Sequence, residues 1–95
     1  MLRTSVSEKR LVILEWLKDP VVHFPSQPHG DPVEDGVTAD AVAARLGVPR
    51  AVATTHLDLL ADVGLLQTRR IRWRTYYRRD EVRIAEVARM FEKGW

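Results

Sequence analysis

Arginine is the residue type whose spacing first suggests chemistry in this 95-residue chain. Between Gln67 and Arg79 lie Arg69, Arg70, Arg72, Arg74, Arg78 and Arg79, with no acidic residue and no lysine among them. A guanidinium is a planar fork that can bind two oxygens at once, so arginine suits phosphates and base edges better than lysine does. Cations packed at this density repel one another, and a polyanionic partner removes that cost. The plain structural alternative is a solvated charged surface. Nucleic acid fits better than an anionic membrane surface, because the stretch lacks an amphipathic helical pattern. Trp73, Tyr76 and Tyr77 interleave the arginines. Neighbouring tyrosines on a strand face opposite sides, so one is expected to pack and the other, Tyr76, to reach phosphate. Trp73 either wedges into a groove or lies under an arginine as a cation–π pair, the second being commoner.

Other reactive side chains point less clearly to a site. His23, His29, Asp31, Glu34 and Asp35 could offer imidazole and carboxylate ligands to zinc. Their irregular spacing on a proline-stiffened segment favours a solvated acidic loop, and no metal or other cofactor is expected. Ser26 sits between His23 and His29 without a group to orient a base, so the chain is not read as an enzyme. His56 falls in line with Ala53 and Leu60 at helical spacing, which predicts a packed, hydrogen-bonded histidine rather than a reactive one.

Composition narrows the classes further. The chain has no cysteine, which excludes disulfides, thiolate chemistry and every cysteine-containing zinc site. At 45% hydrophobic and 29% charged residues it has the make-up of a single globular domain, 1–95. No apolar run nears the roughly 18 residues needed to span a bilayer, so no membrane partner and a cytoplasmic location are expected. The net charge of +2 conceals a division, for residues 1–66 carry −3 and residues 67–95 carry +5.

The arginines must be positioned by a small set of elements. A first helix is expected over 7–18, opened by Ser5 and Glu8 as a capping box and closed at Pro20. Its apolar face, with Leu11, Leu14, Trp16 and Leu17, is too broad for a small monomer and predicts a partner subunit. Residues 19–37 hold four prolines and two glycines and read as an irregular connector. Thr38 is the expected N-cap of a second helix that Gly47 stops. A third helix begins at Pro49 and ends near Asp62. It buries Ala53, His56, Leu57 and Leu60, and presents Arg50, Ala51, Thr54, Thr55, Asp58 and Asp62 on an outer face poor in long side chains. Strands over 65–70 and 74–79 form a basic hairpin about the turn Ile71-Arg72-Trp73, which lacks the usual glycine or asparagine. A last helix over 80–93 carries Ile84, Val87 and Phe91 on a second surplus apolar face, with Trp95 beyond it in core or interface.

Two helices joined by a tight glycine turn and followed by a basic hairpin are the parts of a winged helix-turn-helix, mainly α with a small β-hairpin. Residues 37–80 resemble the ArsR-type bacterial regulators. The resemblance rests on Leu46-Gly47, on His56-Leu57-Asp58-Leu59-Leu60, on Gly64-Leu65, and on the run from Arg69-Arg70 to Tyr76-Tyr77. It implies a homodimeric repressor that binds double-stranded DNA, pairs through its terminal helices, and releases DNA when a small-molecule effector binds. The chain departs from the family pattern at Pro49-Arg50-Ala51-Val52, at Thr55 where arginine is frequent, and at a wing turn without glycine. Base reading is therefore expected from Arg50, Ala51, Thr54 and Thr55, and backbone affinity from Arg69, Arg70, Arg72, Trp73, Arg74 and Tyr76. The histidine-bearing last helix of metal-sensing relatives has no counterpart here. Control is then expected in the 19–37 connector. The alternative function is a winged helix that meets an acidic protein partner.

Overall fold

The computed structural model describes residues 6–25, 27 and 30–92. Ser5, Ser26, His29 and Trp95, each given a role above, lie outside the described residues, as does the side chain of Phe91. Along the chain run α1 (Val6–Lys18), the one-turn α2 (Pro20–His23), β1 (Val37–Thr38), α3 (Ala39–Leu46), α4 (Arg50–Asp62), β2 (Leu66–Ile71), β3 (Arg74–Arg79) and α5 (Glu81–Glu92). The three strands form one antiparallel sheet in the order β1-β3-β2. This mainly helical arrangement with its small sheet is a winged helix-turn-helix.

Local chemistry sets the turn between α3 and α4. The Thr38 hydroxyl accepts from the Ala41 amide at 3.3 Å, as an N-cap should, while Thr38 also ends β1 opposite Tyr76. Gly47 closes α3 in the left-handed region at φ 71°, and both its amide and that of Val48 donate to the Ala43 carbonyl. Pro49 is the N-cap of α4 and not its first helical residue, because its backbone is extended at ψ 150°. At the far end Asp80 starts α5: its Oδ1 accepts from the Arg83 amide at 3.0 Å and its Oδ2 from Gln67 at 3.1 Å. Those bonds, the Arg83 amide first, hold the Asp80 carboxyl below its ordinary range.

The core lies where α1, α3, α4 and the sheet meet. Ile13, Val37, Val42, Ala53 and Leu57 are fully enclosed there, with Leu17, Phe24, Leu60, Leu66 and Tyr77 around them. The buried face of α4 is Ala53, His56, Leu57 and Leu60, the set read from its helical period. Leu17, expected at a partner interface, is instead part of this core. Leu14 and Trp16 pack against the same cluster. Trp16 meets Phe24 edge-on at 6.2 Å and lies under the Arg45 guanidinium at 5.1 Å, so its surface is largely spent within the subunit. Leu11 alone of that α1 set is widely exposed. On α5, Ile84 and Val87 are half-buried, Val82 and Met90 are exposed, and among the described side chains none of the helix joins the core.

The 19–37 segment is more ordered than its prolines suggested, for it supplies α2 and then β1, a third strand for the hairpin. Side chains take over where regular ladders stop. The Asp31 carboxylate accepts from the amides of Val33 and Glu34, that of Asp35 accepts from the Asp31 amide, and Gln27 donates to the Gly36 carbonyl at 2.9 Å. These bonds satisfy backbone that has no strand partner. The segment lies over one face of the hairpin: a Cβ at Gly30 would come within 3.0 Å of the Tyr76 ring, and one at Gly36 would collide with the Tyr77 carbonyl.

Candidate nucleic-acid interface

The outer face of α4 is exposed as its sequence period requires. Arg50, Ala51 and Thr55 are open to solvent and Thr54 is half-buried. Thr55 donates its hydroxyl to the Ala51 carbonyl at 3.0 Å, one turn back, which leaves the methyl and the oxygen lone pairs to face outward. Arg50 is not free-standing, since its Nε lies 3.3 Å from Asp40 Oδ1 on α3. A cavity of about 390 Å³ opens between this face and the hairpin, and Arg50, Thr54, Asp58, Arg74 and Tyr77 are among its walls.

Tyr77 ties the helix to the wing. Its hydroxyl donates to Asp58 Oδ1 at 2.9 Å, joining the middle of β3 to the third turn of α4. Burial, the hydrogen bond to Asp58 and the charge of that carboxylate push the Tyr77 phenol up to about 12, against an opposing pull from Arg50. The phenol therefore stays protonated, and a donor, throughout the neutral range.

The wing divides its arginines between structure and solvent. Arg69 pairs with Asp35 of the connector at 3.1 Å, and that carboxylate is itself mostly buried. Arg79 lies 2.9 Å from Glu81 and donates to the Leu14 carbonyl at 3.0 Å, pinning β3 to α1. Arg70 reaches across the hairpin to the Thr75 hydroxyl at 3.5 Å. Arg70, Arg72, Arg74 and Arg78 remain exposed, and so does Trp73 at the tip, 75% open. The arginine–indole stack considered for Trp73 is formed by Arg45 and Trp16. The turn has two residues, Arg72 and Trp73, because Ile71 pairs with Arg74. Arg72 takes φ 58°, the positive value that such turns normally give to glycine.

Tyr76 must be moved out of the expected phosphate-contacting set. Both tyrosines are buried, Tyr76 at 1% exposure and Tyr77 at 4%. They do face opposite sides of the strand, but the connector covers the second side, which its irregular sequence gave no reason to expect. Asp35 and Glu81 were missed for a related reason, as the arginine run has no acid within it and its partners come from outside. Asp58 had a visible signal: with Arg50 and Thr54 it recurs every four residues, so the three share one stripe of α4.

His56 is buried on the inner face of α4, with Nδ1 lacking a partner among the described residues. Burial first, then the charges of Arg10 and Lys9 on α1, hold its imidazole below the usual histidine range. In the connector, the carboxylates of Asp31 and Asp35 accept from backbone amides, and that of Asp35 also pairs with Arg69.

Over 82 residues the chain is 37% identical to YbzH of Bacillus subtilis (strain 168), an uncharacterized HTH-type transcriptional regulator, a match that takes in 86% of this chain and 82% of that protein. The chain belongs to the HTH-type transcriptional regulators. No family model and no solved structure matches it. In this HTH-type regulator the second helix of the tight pair is α4. Among the described residues, no helix of this HTH-type regulator is long and apolar enough to cross a membrane.

Proposed function

We propose that the protein is a sequence-specific DNA-binding transcriptional regulator, a homodimeric repressor of ArsR type that works without a metal. Helix α4 enters the major groove, with Arg50, Ala51, Thr54 and Thr55 toward base edges. Arg70, Arg72, Arg74 and Arg78, with Trp73, meet the flanking backbone, while Arg69 acts through its bond to Asp35. The observation that carries this reading is the exposed face of α4, short in side chain and set beside a wing with five exposed arginines, of which Arg69 alone is held by a carboxylate among the described residues. Kinship with an HTH-type transcriptional regulator over most of both chains supports it.

Dimer formation is supported by α5. A helix of 12 residues is marginal in water when nothing covers it. Among its described side chains none joins the subunit core, and Val82 and Met90 are exposed. A second α5, with Leu11 of α1 beside it, would bury Ile84 and Val87. The bound dimer blocks polymerase, and an effector acting through the 19–37 connector changes the separation of the two α4 helices and releases DNA. The setting is the cytoplasm.

The test is selection from a randomised duplex pool at two salt concentrations, followed by sequencing. A two-fold symmetric motif, lost at one base pair in Arg50→Ala while non-specific binding persists, is the expected result. Binding without sequence preference would overturn the regulator reading and favour an acidic protein partner for the wing.

A further inference from the structure

The residue that decides how Arg50 meets a base lies on the neighbouring helix. Asp40 stands in the first turn of α3, where the positive end of the helix favours a carboxylate. Its Oδ1 lies 3.3 Å from Arg50 Nε, and the two side chains are 63% and 71% exposed. Both belong to the wall of the cavity between α4 and the wing.

A guanidinium offers two bidentate edges, one formed by Nε with a terminal nitrogen and one by the two terminal nitrogens. Asp40 occupies Nε and so closes the first edge. The second stays unoccupied by Asp40 on a side chain 71% exposed at the start of α4, the part of a recognition helix that reaches base edges. Guanine presents O6 and N7 side by side in the major groove, two acceptors matched to that remaining edge. Adenine and cytosine each place an amino donor there, which a cation with only donors rejects. In water an exposed pair like this contributes little to stability. In a groove emptied of water the same contact strengthens and fixes the arginine's orientation. Its cost is a negative charge held close to DNA phosphates, which weakens binding to every duplex alike.

We infer that Asp40 is a specificity-determining positioning residue: by holding Arg50 at Nε, 3.3 Å away, it presents the end of the guanidinium to a guanine of the operator. The inference rests on the reading of α4 as the DNA-recognition helix.

The test compares the wild-type protein with Asp40→Ala, Arg50→Lys and the double variant, each with its fold checked by circular dichroism. The probes are the duplex selected by the wild type and three versions with the Arg50-dependent guanine replaced. Asp40→Ala is expected to lower the preference for guanine by about tenfold, within the range a good bidentate contact provides. It should at the same time tighten binding to the three replaced duplexes. Arg50→Lys keeps the charge and loses the fork, so removing Asp40 in that background should leave the preference where Arg50→Lys put it. A wild type that selects guanine and an Asp40→Ala variant that selects it equally well, or more sharply, would overturn the inference alone. A wild type with no preference at any position would overturn it together with the regulator reading.

Discussion

Replacing Arg72 by glycine separates what the wing costs the fold from what it gives to DNA binding. Arg72 sits at φ 58° in the two-residue turn, with its side chain exposed. An L-residue in the left-handed region is strained by ~1–2 kcal/mol, and glycine is not. Against that gain, glycine loses more backbone freedom on folding, a penalty of roughly 0.5–1 kcal/mol. The balance is a net stabilisation of about 0.5–1 kcal/mol, and at ~4–8 °C per kcal/mol for a domain of this size Tm should rise by a few degrees. Arg72→Ala is the control, since it removes the same charge and keeps the Cβ. If Arg72 contacts a phosphate, both variants should lower the slope of log affinity against log salt by about 0.9. Thermal unfolding followed by circular dichroism reads the first effect, and fluorescence anisotropy of a labelled duplex at several salt concentrations reads the second. Equal melting temperatures for the glycine and alanine variants would refute the strain argument. An unchanged salt slope in both would remove Arg72 from the phosphate backbone.

Three further outcomes are expected. Stability should decline as pH falls below about 6.5: the folded-state pKa of His56 is depressed, so the unfolded chain takes up the proton first, and stability that is complete above the unfolded value is lost beneath it. His56→Gln should flatten that decline, and an unaltered pH profile would show that His56 does not cause it. Tyrosine absorbance should report one phenol ionising near 12, and Tyr77→Phe should remove it and cost about 1–2 kcal/mol through the lost bond to Asp58; a variant as stable as wild type would deny that bond any weight. Gly36→Ala should destabilise far more than Gly47→Ala: both glycines have positive φ, but a Cβ at Gly36 meets the Tyr77 backbone, whereas one at Gly47 meets nothing within 4 Å. Equal losses in urea unfolding would mean that the connector does not press on β3 as described.

The ends of α3 and the start of α4 were legible in the sequence because their signals are local. A threonine cap, a left-handed glycine and a proline act on backbone within four residues of themselves; the structure keeps the first two and moves the proline one position outward, to the N-cap. The buried face of α4 was legible too, since the helical period alone assigns Ala53, His56, Leu57 and Leu60 to one side. The stretch of hairpin was recognisable from its β-formers, but the turn was one residue shorter than expected. Loop length is set by the pairing of Ile71 with Arg74, which no nearest-neighbour signal reports.

The sequence by itself determined the four longer helices and the hairpin strands, the outer face of α4 and the concentration of arginine in the wing. Tertiary structure decided which of those arginines are available. Asp35 arrives from 34 positions away to engage Arg69, and Glu81 and the Leu14 carbonyl hold Arg79. It also decided that Tyr76 is enclosed, because a connector that looked irregular lies across the strand. The physical reason is the same in each case. Helical period, caps and strand preference are properties of neighbouring residues, whereas a charge is neutralised and a face is covered by groups brought close only when the chain has folded.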